Sequence, residues 1–138
     1  MAPRYVRDLM TEEVITIGPE EDLMAFRDLL YEHAFRHVPV TDAEGTLVGL
    51  LSERDLLRNI LTDQADVPLS VRDESMKRKR VGDIMTHDVE TAQPDDLLQD
   101  AAQLMLDNKY GCLPVTENSR LVGIVTEADF VHYFADKA

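Results

Sequence analysis

Gly49-Leu50-Leu51-Ser52-Glu53-Arg54-Asp55 returns later in the chain as Gly123-Ile124-Val125-Thr126-Glu127-Ala128-Asp129. In each stretch a glycine leads an apolar run, a hydroxyl residue ends it, and an aspartate follows three positions on. An apolar run of this length, closed by a hydroxyl, predicts a buried strand running into a helix. Serine or threonine at such a junction is a good N-cap, and an acid in the first turn suits the positive end of the helix dipole. The chain makes this arrangement twice, at an offset of 123 − 49 = 74 residues.

Working outward, the duplication extends over most of the sequence. Val6-Arg7-Asp8-Leu9-Met10-Thr11 returns as Val81-Gly82-Asp83-Ile84-Met85-Thr86, an offset of 85 − 10 = 75. Val14, Thr16, Pro19 and Leu23 return as Val89, Thr91, Pro94 and Leu98, and Val38-Pro39-Val40-Thr41 as Leu113-Pro114-Val115-Thr116. The offset then falls to 74, because the second copy is one residue shorter in the turn ahead of Leu121. Chance does not hold such a register; the chain arose by duplication.

Each copy reads as strand, helix, strand, strand, helix. In the first, Val14–Ile17 is a β-branched run closed by Gly18-Pro19. Glu20 to His33 puts Leu23, Phe26, Leu29 and Leu30 on one helical face. His37–Thr41 and Thr46–Leu51 form a hairpin about the turn Asp42-Ala43-Glu44-Gly45, and Glu53–Leu61 is helix. The second copy predicts strand at Val89–Thr91, helix at Asp95–Asn108, strands at Cys112–Thr116 and Leu121–Val125, and a helix from the Thr126 cap to about Lys137. Residues 62–79 are polar and read as a linker with one helical turn. The basic cluster Lys77-Arg78-Lys79-Arg80 there is a solvated stretch, or else lies near a ligand's phosphates or a partner's acidic face. The expected organisation is a first repeat at 1–61, the linker at 62–79 and a second repeat at 80–138. The fold class is α/β in the broad sense (α+β), two β-α-β-β-α repeats packed as a pseudo-twofold pair. One copy alone buries little surface, so two would share a core, with symmetry-related clefts for ligands.

With 14 Lys and Arg against 27 Asp and Glu, the net charge is −13. Such a balance repels DNA, RNA and anionic membranes. Cys112 is the single cysteine, so no intrachain disulfide framework exists and a cytoplasmic setting is expected. The N-terminus has no signal-peptide pattern, and no apolar run reaches the ~20 residues of a spanning helix. His33, His37, His87 and His132 show neither metal-site nor triad spacing. No Walker-type phosphate loop is present, and Asp95-Asp96 fall at a helix start where capping accounts for them. The expectation is a protein that is not an enzyme.

The Ser52/Asp55 and Thr126/Asp129 pairs admit two readings. Ser-x-x-Asp at a helix start is ordinary capping. A carboxylate there can also accept the vicinal hydroxyls of a ribose, as acids do in dinucleotide folds. Two occurrences in duplicated frames favour the ligand.

The pattern Asp-Leu/Ile-Met-Thr, a short strand with a Pro-led helix, Val/Leu-Pro-Val, and Leu-Val-Gly followed by Ser/Thr-Glu-x-Asp resembles the CBS (cystathionine β-synthase) domain. Both copies match, over about residues 5–61 and 80–135, so the chain is similar to a stand-alone CBS pair, or Bateman module. The resemblance implies a regulatory sensor binding AMP, ADP or ATP, with magnesium as an optional companion of ATP. Alternatives are S-adenosylmethionine, NAD-type or cyclic dinucleotide ligands, or a ligand-free dimerisation scaffold. It also implies a homodimer, a flat disc of four repeats. By the same resemblance one site comprises Asp55 and Ser52, with Val14, Ile15, Arg36, His37 and Val38 about the base and Arg54 near phosphate. The other comprises Asp129 and Thr126, with Val89, Glu90, Gly111, Cys112 and Leu113. Because Arg36, His37 and Arg54 are replaced by Gly111, Cys112 and Ala128, the two sites are expected to differ. His37 reads equally well as structural, and Cys112 as a small apolar strand residue. Met10 and Met85 read as core fillers close to the base.

Overall fold

The computed structural model describes residues 2–33, 35–64 and 69–136. The elements run α1 (Leu23–His33), β1 (His37–Thr41), β2 (Leu47–Ser52), α2 (Glu53–Gln64), α3 (Leu69–Arg78) and α4 (Val81–Ile84). Then follow α5 (Leu98–Asn108), β3 (Cys112–Glu117), β4 (Arg120–Thr126) and α6 (Glu127–Asp136). A short 3-10 turn, Val6–Asp8, precedes them. The strands form two two-stranded sheets, β1-β2 and β3-β4.

The chain divides into two compact units that cut across the sequence repeats. One comprises Met1–Val14, Gly45–Leu47 and Glu90–Ala138; the other comprises Ile15–Glu44 and Val48–Val89. Each repeat's opening segment therefore folds within the unit built on the other repeat's hairpin. These units are a division of another kind from the sequence repeats expected at 1–61 and 80–138. The repeats record how the chain was duplicated, whereas the units record which residues pack together.

In the unit containing the first hairpin, Thr86 pairs with the outer edge of β2: its N–H donates to the Leu50 carbonyl (2.9 Å), and the Leu50 N–H donates to the Thr86 carbonyl (3.0 Å). Val81 is fully buried in the core made by Ile17, Leu23, Phe26, Leu30, Val38, Val40, Leu51, Leu56 and Met76. The other unit repeats this with Thr11, whose N–H donates to the Ile124 carbonyl (2.9 Å) and whose carbonyl accepts from the Ile124 N–H (3.0 Å). Val6 is fully buried there among Ala92, Ala101, Met105, Leu113, Val115 and Val125. The anchoring bonds recur too. Val81 and Gly82 donate to the carbonyls of Glu21 and Pro19, and Val6 and Arg7 donate to those of Asp96 and Pro94. The repeat lengths suggest one shared core, but each unit carries a cluster of its own.

Helices α1 and α5 bury matching positions, Leu23, Phe26 and Leu30 against Leu98, Ala101 and Met105. This i, i+3, i+7 spacing keeps one helical face inward. Both helices start later than the acids suggest. Asp22 accepts the Ala25 N–H (3.0 Å) as the N-cap of α1. Asp96 instead accepts from Gln93 in the turn before α5, and Asp95 pairs with Arg7.

Three sequence expectations are corrected. The strands expected at Val14–Ile17 and Val89–Thr91 shrink to single parallel bridges, Ile17 to Val40 and Ala92 to Val115. The N–H groups of Val14 and Val89 turn back onto Glu12 and His87, so the hairpin edge is reached only by Ile17, the last residue of the first run, and by Ala92, one residue past the second. Residues 62–79 hold more than one turn of helix: α2 continues to Gln64, α3 follows, and Met76 is buried in the core. Lastly, Asp95 and Asp96 brace the approach to α5, whose N-cap is Leu97. The shorter second hairpin closes through Asn118 and Ser119, both at positive φ (54° and 69°), as tight hairpin turns require.

Candidate functional site

Because α2 starts where β2 stops, Ser52 is both the last strand residue and the helix cap. Its backbone N–H and its hydroxyl both donate to Asp55 Oδ2, at 2.8 and 3.0 Å, and the Asp55 N–H donates back to Ser52 Oγ at 3.2 Å. The Glu53 N–H donates to the Arg36 carbonyl (2.8 Å), tying the approach to β1 to the head of α2. Capping is thus real, and it satisfies donors that a helix start leaves orphaned. It also engages one carboxylate oxygen twice. Asp55 Oδ1 has no hydrogen bond among the described residues, and a carboxylate oxygen has two acceptor positions. The sequence suggests a carboxylate with both oxygens open to a ribose diol; in the fold, Oδ1 is the one left for it.

The second pair has the same frame. The Thr126 N–H and hydroxyl donate to Asp129 Oδ2 (2.8 and 3.2 Å), the Asp129 N–H donates to Thr126 Oγ1 (3.3 Å), and the Glu127 N–H donates to the Gly111 carbonyl (3.1 Å). Here the outer oxygen is engaged: the Thr11 hydroxyl donates to Asp129 Oδ1 at 3.2 Å. Its counterpart Thr86 makes no such bond to Asp55. Thr11 was not among the expected site residues. Its signal lay in the repeated Met-Thr, but its meaning required the exchange of opening segments.

The other expected residues fall into two groups. The unit with Asp55 also holds half-buried Ile15, His37 and Val89, and exposed Arg36 and Arg54; the unit with Asp129 holds half-buried Val14 and Gly111, and exposed Glu90. Val38 and Leu113 are fully buried in the two cores, so only their backbones are available to a ligand. Cys112 is buried, and desolvation pushes its thiol up to about 12; it stays a neutral, small apolar group. Met10 and Met85 lie against Gly123 and Gly49, where a Cβ would come within 2.7 and 2.4 Å of their sulfurs. Of the basic cluster, Arg78 lies 3.8 Å from Glu74, and Lys79 Nζ donates to Asn59 Oδ1 (3.4 Å), one turn beyond Asp55 on α2. Among the described residues no group of three His, Cys, Asp or Glu is gathered that could hold a metal ion. No described helix is long and apolar enough to cross a membrane.

The fold and the doubled hydroxyl–carboxylate caps define a tandem module with one capped carboxylate in each unit. The family model for the CBS domain matches residues 6–62 and 81–136, and the chain belongs to that family. It is 32% identical over 126 residues to the uncharacterized protein MJ1225 of Methanocaldococcus jannaschii, covering 91% of this chain but only 41% of that protein. Among solved structures it resembles CBSX2 in complex with AMP, a protein of Arabidopsis thaliana, at 30% identity and a TM-score of 0.82, covering 98% of each chain. It also resembles the CBS domain pair of protein MJ0100 in complex with 5′-methylthioadenosine and S-adenosylmethionine. That likeness is 27% identical with a TM-score of 0.80, covering 99% of this chain and 100% of the other.

Proposed function

We propose that this chain is a non-catalytic regulatory module that binds an adenosine-type ligand, AMP foremost, at the head of α2, with a related site at the head of α6. The observation that carries the reading is Asp55: a half-buried carboxylate, fixed by its own cap, with one oxygen open to accept hydroxyl protons. The ligands of CBSX2 and MJ0100 support it, since AMP, methylthioadenosine and S-adenosylmethionine share a ribose that presents two adjacent hydroxyls. His37, Ile15 and the Arg36 backbone lie in the same unit as Asp55 and would flank the base, and Arg54 would face phosphate. Magnesium would enter with the phosphates of ATP. Regulation requires that the ligand bind two arrangements of the protein unequally.

Calorimetry with AMP, ADP, ATP with and without magnesium, methylthioadenosine and S-adenosylmethionine tests this. At 100 times its dissociation constant a ligand adds about 2.7 kcal/mol, a rise in melting temperature of about 8 °C for a chain of this size. Asp55→Asn keeps the cap's shape but removes the charged acceptor, and should weaken the site at the head of α2 about 10- to 100-fold. No heat and no melting shift with any of these compounds would sink the reading and favour a scaffold.

A homodimer belongs to the same proposal. Tyr31 and Leu106, 75 apart, are 76% and 74% exposed; Leu57 and Val131, 74 apart, are 47% and 66% exposed. Each unit thus exposes large apolar side chains at two corresponding positions, one on its first long helix and one on the helix that follows its hairpin. Exposed apolar positions repeated in this way suit an isologous contact with a second copy.

A further inference from the structure

We infer that Thr11 sets the rank of the two sites: by occupying the outer oxygen of Asp129 it weakens the site at the head of α6, and Asp55 takes ligand first. This rests on the adenosine reading given above. The two sites form a paired comparison inside one molecule. Both threonines sit at the end of a repeated Met-Thr, both exchange backbone bonds with the neighbouring strand, and both aspartates use Oδ2 in the same cap. The difference lies in the hydroxyl of the threonine. Thr11 donates to Asp129 Oδ1 (3.2 Å), whereas Thr86 makes no bond to Asp55.

An incoming ribose at Asp129 must therefore displace an internal donor, and one at Asp55 meets no competing donor among the described residues. Exchanging one hydroxyl donor for another at the same oxygen, with loss of a contact inside the protein, gains less than bonding to an oxygen that no described residue uses. The net worth of one such bond corresponds to about a fivefold difference in affinity. Counting basic residues near the two sites would not reveal this, because the ranking residue carries no charge and belongs to the opposite repeat in sequence.

Thr→Val removes the hydroxyl while keeping the branched shape and the backbone pairing. Titration of the wild type with AMP should show two events of unequal affinity. Asp129→Ala should abolish the weaker event and Asp55→Ala the stronger. Thr11→Val should tighten the weaker event about fivefold and leave the stronger one in place, while Thr86→Val changes neither. Two equal events in the wild type, or a Thr11→Val protein whose weaker event is unchanged or looser, would overturn the ranking. If no adenosine compound binds the wild type, the functional reading fails and the internal contact is judged without ligand. Thr11→Val must then lower the melting temperature more than Thr86→Val; equal melting of the two variants shows that Thr11 does not hold Asp129 and overturns the inference.

Discussion

Two missing methyl groups decide where the thioethers of Met85 and Met10 lie. A Cβ on Gly49 would come within 2.4 Å of Met85 Sδ and 3.0 Å of the Thr86 carbonyl; on Gly123 it would come within 2.7 Å of Met10 Sδ and 3.0 Å of the Thr11 carbonyl. A methionine can swing aside, but the carbonyl belongs to the backbone pairing and cannot. Gly49→Ala should therefore destabilise by about 1–3 kcal/mol, measured by urea denaturation. Adding Met85→Ala should recover only part of the loss, since the backbone contact remains. At this scale the Ser52/Asp55 and Thr126/Asp129 pairs were legible because partners three positions apart meet through local geometry alone. The bond between Thr11 and Asp129 was not, since it joins residues that only the folded chain brings together.

Elements followed their patterning where one face is buried. The apolar spacing of α1 and α5 and the short continuous apolar runs of β1 and β3, buried at consecutive residues, located those elements to within a few residues. Reading failed where burial arrives from elsewhere in the chain. Val14–Ile17 and Val89–Thr91 have strand composition, yet the first bridges to a strand only through Ile17 and the second only through the following residue, Ala92. Residues 62–79 look like a solvated tether, yet α3 brings Met76, 6% exposed, into the core with Phe26 and Val81. Met76→Ala should cost about 2–5 kcal/mol in chemical denaturation. A tether would not respond to that change, so an effect below a few tenths of a kcal/mol would contradict the packing of α3.

For the whole molecule, duplication was the most legible feature, since identity at a constant offset needs no knowledge of packing. The assignment of segments to units was less so, because two similar hairpins offer an opening segment two equivalent edges and sequence does not say which is chosen. Duplication also marks the proposed contact with a second copy. Replacing Leu106 and Val131 together by Glu should leave the cores intact and convert a dimer to a monomer, as read by sedimentation across a concentration series. A chain that is monomeric before the change would refute the contact.

The exchange of opening segments has a consequence for synthesis. Val6 to Thr11 leaves the ribosome long before Ile124, the residue whose strand it must join, has been made. The edge of the first hairpin must likewise wait for Thr86 to emerge. Neither unit can close in the order in which its residues appear, so Val6 to Thr11 lack their strand partner until Ile124 has been made.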